Sequence, residues 1–137
     1  MKYTVDNTNW VSYKNNQKFK GNVDTTATVS HKLEPFQAKA VRLYPTKWSP
    51  VGDWISMRFE VYYAQPVPLA KAIELGYPRT YSSKSSDCED PSLVQNNANT
   101  CKGWQAATNN ADEYHQVTLP GKKKVHKIIT KGREDNA

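Results

Sequence analysis

Cysteine is nearly missing from this chain: among 137 residues only Cys88 and Cys101 carry a thiol. A four-ligand zinc site has no donors to draw on, since no histidine lies close to the two cysteines and His31, His115 and His126 share no metal-ligand spacing. Long apolar runs are missing too, and nothing approaches the ~18 consecutive apolar residues of a membrane-spanning helix. The first residues, Met1-Lys2-Tyr3-Thr4-Val5, lack the apolar h-region of a signal peptide. On that count the chain is expected to be a mature or excised piece, or a protein that stays inside. There is no nucleophile elbow, no phosphate-cradling glycine loop and no HExxH motif. The carboxylates Asp87, Glu89 and Asp90 could hold calcium with backbone carbonyls but form no recognisable calcium loop. The expectation is a chain with no cofactor, a binding module rather than an enzyme.

What is present starts with length and charge. One domain's worth of chain can bury a core of useful size. The net charge of +6 favours acidic partners such as phospholipid, sulfated glycan or nucleic acid. Scattered lysines argue against nucleic acid. The one run, Lys122-Lys123-Lys124, follows Pro120-Gly121, where a solvated hairpin turn accounts for it. Twelve residues rich in Ser, Asp and Asn separate Cys88 from Cys101. A local disulfide closing that loop is the favoured reading and would place the domain in an oxidising compartment; the alternative is a pair of free thiols in the cytosol.

The chain reads as a series of short β segments. Ile55, Met57, Phe59, Val61 and Tyr63 alternate with Ser56, Arg58, Glu60 and Tyr62, the period of a strand with one face in a core. Ahead of it, residues 40–44 read as a second strand, ended by Pro45 and joined to the first by a connection containing Pro50 and Gly52, so that the two form one sheet edge. Further strands are expected at 10–13, 27–31, 38–44, 80–83, 113–119 and 125–131, and one helical turn around Leu69, Ala72 and Ile73. Many short strands with Gly, Pro and Asn between them predict an all-β sandwich or barrel. Arg42 and Arg58 point away from the apolar faces, where each could pair with a carboxylate such as Glu60, or snorkel. The two prolines of Ala64-Gln65-Pro66-Val67-Pro68 predict a stiff, extended connector between halves that share one core.

These residues resemble the discoidin domain, also called the coagulation factor V/VIII C-type domain. The first half is similar to that family's C-terminal half in Trp10 and Tyr13, in Phe19-Lys20-Gly21-Asn22-Val23-Asp24, in Ala40-Val41-Arg42-Leu43-Tyr44-Pro45-Thr46 with Trp48, and in Ile55-Ser56-Met57-Arg58-Phe59-Glu60-Val61-Tyr62. The second half is similar to its N-terminal half in Pro68-Leu69, Thr80-Tyr81-Ser82-Ser83, Gly103-Trp104, Tyr114-His115-Gln116-Val117-Thr118-Leu119 and Ile128-Ile129-Thr130-Lys131-Gly132-Arg133. The resemblance implies a jelly-roll β-sandwich or distorted barrel with permuted strand order. The whole chain, 1–137, is expected to be a single domain in which 64–68 joins the halves 1–63 and 69–137. The alternative is a chain straddling two tandem domains, and the oligomeric state is left open. Tyr63 stands where the family's terminal cysteine is expected.

In the family, loops at one end of the barrel form the ligand site, so the resemblance points to three regions here. The loop 84–102, stapled by Cys88 and Cys101, carries Ser92, Leu93, Val94 and Gln95, whose apolar pair could dip into a bilayer or fold back onto the domain. The loop 105–112 offers Gln105, Asn109, Asn110 and Asp112, amides and a carboxylate suited to sugar hydroxyls or a cationic group, or to an ordinary Asn-rich turn. Arg133 begins a third loop, which the order of the halves has cut. Trp104 is expected in the core. Three functions are implied: an extracellular or secreted adhesion module for cell-surface or matrix glycans, which is preferred; a peripheral module for anionic lipid headgroups such as phosphatidylserine; and peptide recognition of the neuropilin type.

Overall fold

A computed structural model describes residues 1–24, 26–48, 55–64, 70–71, 78–85 and 103–132. The strands are β1 (Lys2–Thr4), β2 (Val11–Ser12), β3 (Thr28–Leu43), β4 (Ser56–Ala64), β5 (Ala70–Lys71), β6 (Arg79–Tyr81), β7 (Trp104–Gln105) and β8 (His115–Lys131), with a short 3-10 turn at Tyr13–Asn15. They form one curled antiparallel sheet in the order β2-β1-β3-β8-β4-β5, with β6 added to β8 and β7 to β4. The all-β expectation holds, and the architecture is that of a discoidin-like β-sandwich or half-barrel.

Strand β4 forms where the alternation predicts it, and Ile55, Met57, Phe59, Val61 and Tyr63 are all buried. Burying side chains of this size contributes about 1.5–3 kcal/mol each. The opposite face is not solvated, however: Arg58 and Glu60 are 3% and 2% exposed. Nor do β3 and β4 make a pair, because β8 lies between them, with Val41 opposite Val117 on one edge and Val61 opposite Ile128 on the other. Local spacing suggested two adjacent strands; β8 supplies an apolar residue to each of them and takes the central place.

The segments expected at 27–31 and 38–44 are one strand. Its ladder with β8 shifts register between Lys32 and Phe36, and that unpaired stretch holds Pro35, which has no N–H to donate. The Glu34 amide bonds instead to the Tyr13 hydroxyl at 3.0 Å. Likewise 113–119 and 125–131 belong to a single strand, and the hairpin expected at Pro120-Gly121 is a bulge. The chain keeps its direction across Gly121, whose φ of 86° lies in the left-handed region, and Lys123 and Lys124 return to pairing with Ala38 and Gln37. The helical turn expected near Leu69, Ala72 and Ile73 falls outside the described residues.

The core has two parts that share β4. Phe59, Val61 and Tyr63 pack with Val41, Val117 and Ile128, while Ile55 and Met57 pack with Trp104 and Ala106. Trp104 is 1% exposed, a core residue as expected.

Candidate functional site

The loop 105–112 is anchored at both ends. Strand β7 pairs Gln105 with Ser56 and Trp104 with Met57, and the buried Trp104 indole donates to the Ser83 carbonyl at 2.8 Å. Just beyond, the Ala106 amide donates to the Ile55 carbonyl at 2.9 Å, and the Ile55 amide donates to Asn109 Oδ1, also at 2.9 Å. These bonds satisfy the backbone groups at the entry to β4.

The far end of the loop closes on Glu113, which is 3% exposed. Its carboxylate accepts from the hydroxyls of Ser82, Ser83 and Thr108, with Ser83 Oγ at 2.7 Å from both oxygens. Ser83 Oγ also accepts from the Ala107 amide at 3.0 Å, and Ser82 Oγ from the Tyr114 amide at 2.7 Å. Burial alone would raise the Glu113 pKa, but the hydroxyl donors outweigh it and hold the carboxyl below its ordinary range. The segments 82–85 and 105–114 are thereby fastened into one rigid corner.

Within that corner the expected site residues play different parts. Gln105 is half-buried on β7. Asn109 gives its oxygen to Ile55. Asn110 uses both ends of its amide inside the loop, donating to Thr108 Oγ1 at 2.8 Å and accepting from the Asp112 amide at 2.9 Å. Asp112 is exposed, and its carboxylate has no partner among the described residues. Ser92, Leu93, Val94, Gln95, Cys88, Cys101 and Arg133 lie outside the described residues, as do Asp87, Glu89 and Asp90. The Glu113 clamp escaped the sequence reading. Ser82 and Ser83 drew notice only as part of a family-like tetrapeptide, and nothing local ties a Ser-Ser pair to a glutamate some thirty positions on.

A second cluster lies on β3 and β8, around Arg42. Its guanidinium sits between two rings, 3.7 Å from the Trp10 centroid and 4.1 Å from that of Tyr114. Its Nε donates to Gln116 Oε1 at 2.8 Å. The carboxylate partner expected for Arg42 is therefore replaced by two aromatic faces and an amide, because the neighbouring strand presents Gln116 opposite it. Tyr44 lies 5.5 Å from Tyr114, and Lys2 Nζ is 5.4 Å from the Tyr44 centroid. Arg58, by contrast, is buried and donates through Nε and Nη2 to the Gly132 carbonyl at 3.0 and 2.6 Å.

His115 is fully buried against Phe59, Tyr81 and Trp104, with Arg79 Nη1 2.9 Å from its Nε2. Burial, and secondly the Arg79 charge, push its pKa well below the ordinary value. Such a histidine is a neutral core residue. No group of residues suited to hold a metal ion is found among the described residues.

Comparison with known proteins adds further observations. The sequence model of the F5/8 type C domain matches residues 1–61. Coagulation factor V of Pseudonaja textilis is 30% identical over 150 residues, an alignment spanning 95% of this chain and 10% of that protein. A Discoidin-1 chain of Dictyostelium discoideum is 32% identical over 68 residues, 49% of this chain and 25% of that one, and Discoidin-2 of the same organism is 28% identical over 104 residues, 75% and 35% respectively. The chain thus spans only a tenth to about a third of the length of these relatives. No solved structure matches it.

Proposed function

The chain belongs to the F5/8 type C, or discoidin, family of non-catalytic binding modules, and from that membership we propose that it binds cell-surface or matrix glycans in an extracellular setting. The observation that carries this reading is the polar corner at residues 105–112. It is rigid and hydrogen-bonded from within, it presents the exposed Asp112 carboxylate, and none of the exposed large apolar residues among those described, Val5, Val11, Val23 and Trp48, belongs to it. Fixed polar groups on a rigid frame suit sugar hydroxyls, which reward orientation and give little for apolar contact. Gln105, Asn109, Asn110 and Asp112 supply groups on this loop, and Ser92, Gln95 and Arg133 are the further contacts the reading assigns to its neighbours.

A glycan array probed with the full chain tests this. Retention on defined glycans, weakened by Asp112→Ala with an unchanged melting temperature, supports it; an array with no retention overturns it.

One observation favours a second reading. Val23 is 84% exposed, on a segment where Lys18 and Lys20 are exposed as well. An apolar tip beside cations is the pattern of peripheral binding to anionic lipid, to which Leu93 and Val94 would add. Sedimentation with phosphatidylserine vesicles, abolished by Val23→Asp or Leu93→Asp, would favour lipid over glycan.

We also propose that 1–63 and 69–137 are two halves of one family domain, joined through 64–68 in the reverse of the family's order. Its support is the placement of β8 between β3 and β4. The factor V alignment, which spans 95% of this chain and so runs through both halves in the order they have here, supports the other origin of such a chain, adjoining halves of consecutive domains. A swapped assembly would run as a dimer on sizing chromatography, a self-closed domain as a monomer.

A further inference from the structure

The strand registers set Ser12 opposite Lys2, Lys2 opposite Arg42, Arg42 opposite Gln116 and Gln116 opposite Thr80. Residues directly opposite in an antiparallel ladder project to the same face, so these five side chains form one row across β2, β1, β3, β8 and β6. At roughly 4.8 Å per strand the row is roughly 19 Å long. Each member is polar and at least partly exposed, two are cationic and none is acidic.

Arg42, at the centre, is held in place without being neutralised. Two rings clamp its guanidinium plane and Gln116 fixes Nε, while Gln116 is itself steadied by donating to Thr118 Oγ1 at 3.0 Å. Among the described residues nothing accepts from its Nη1 or Nη2. Of the acids nearest in sequence to the flanking rings, Asp6 and Glu113 are committed elsewhere, and among the described residues no ion pair joins the exposed Asp112 to Arg42. Asp6 accepts from the amides of Thr8 and Asn9, each at 2.8 Å, and Glu113 takes its three hydroxyls. The outer N–H groups of Arg42 are not among the buried polar atoms left without a partner, so they stand open to solvent and to a ligand. A planar fork with its outer N–H groups unmet is shaped for a bidentate oxyanion.

We propose that this row is a binding strip for acidic glycan chains, in which Arg42 takes a sulfate or carboxylate, Lys2 attracts a second anionic group, and Gln116, Ser12 and Thr80 meet hydroxyls. The proposal rests on the glycan reading but names a ligand class and a surface distinct from the loop 105–112.

The test is titration calorimetry of the full chain with a heparin-derived hexasaccharide and with its desulfated counterpart. The sulfated form is expected to bind and the desulfated form to bind far more weakly. Gln116→Glu supplies Arg42 with a carboxylate, so it should keep or raise the melting temperature while weakening the sulfated ligand by about tenfold or more. Lys2→Gln should weaken it severalfold. The strip is overturned if the wild-type chain ignores the hexasaccharide, if it sediments with phosphatidylserine vesicles in its place, or if Gln116→Glu binds as well as wild type. Neutral glycans retained on the array with no hexasaccharide binding would sink the strip and spare the loop reading. Hexasaccharide binding lost in Gln116→Glu, with no retention that depends on Asp112, would do the reverse.

Discussion

Asn109 and Ile55 are joined by one hydrogen bond, in which the Asn109 side-chain oxygen accepts the Ile55 amide at 2.9 Å. Through it the second loop holds the entry to β4. Removing the acceptor leaves a buried backbone donor unmet, so Asn109→Ala is expected to cost about 1–2 kcal/mol. The Ile55 amide should lose hydrogen-exchange protection in that variant. Asn109→Asp, which keeps the acceptor, should retain most of it.

Glu113 should be the more sensitive point of the same corner. Glu113→Gln replaces a carboxylate accepting three hydroxyls with an amide that must both accept and donate, at an expected cost of about 2 kcal/mol in urea unfolding. Because the folded pKa is depressed, the stabilisation is fully present above the ordinary 4.5 and is lost as pH falls through the lower folded value. The acid limb of stability against pH should flatten in the variant.

His115 gives the opposite kind of pH dependence to that of a histidine in an ion pair. In the fold it stays neutral well below 6.5, whereas in the unfolded chain it takes up a proton there. The unfolded state binds more protons, so stability should fall as pH drops below 6.5, by up to about 1.4 kcal/mol per pH unit. Chemical denaturation at several pH values across this range reads the slope. His115→Gln, less stable throughout, should lack this contribution.

Gly121 sits at φ 86° in the β8 bulge with nothing within 4 Å of the place a Cβ would occupy. The cost of Gly121→Ala is therefore backbone strain alone, about 1 kcal/mol. Gly121→Asn should cost less, since asparagine tolerates the left-handed region. A larger loss of melting temperature in Asn than in Ala would show that the strain account is wrong.

Much of this architecture could be read from sequence where a single strand carries the information. The alternation from Ile55 to Tyr63 identifies β4 and its inward face, and the burial of Trp104 was foreseeable too. Neighbour relations were harder to read. Nothing within residues 36–63 says that a strand some seventy residues further along will separate β3 from β4, and nothing in Arg58 or Glu60 says that their face of β4 will also be covered. Pro120-Gly121 looks like a chain reversal locally, but a long partner strand absorbs it as a bulge. In the candidate site, the amides of Asn109 and Asn110 were visible as residue types; their use inside the loop depends on Ile55 and Thr108, one of them far away in sequence. The stack on Arg42 joins residues from Trp10 to Tyr114, a separation no local pattern reports.

The central position of β8 also bears on how the fold is reached. β8 follows every other described strand in the sequence, yet it forms the ladders with β3, β4 and β6. Its contacts with β3 pair residues such as Thr28 and Lys131, so ordering the sheet must close very long loops before any pairing compensates, which places this chain among the slow, high-contact-order folders. During synthesis β3 and β4 must wait with facing edges open until β8 emerges. In that interval each edge is a template for another chain's β8, and crowded, incompletely made copies are where misassembly should begin.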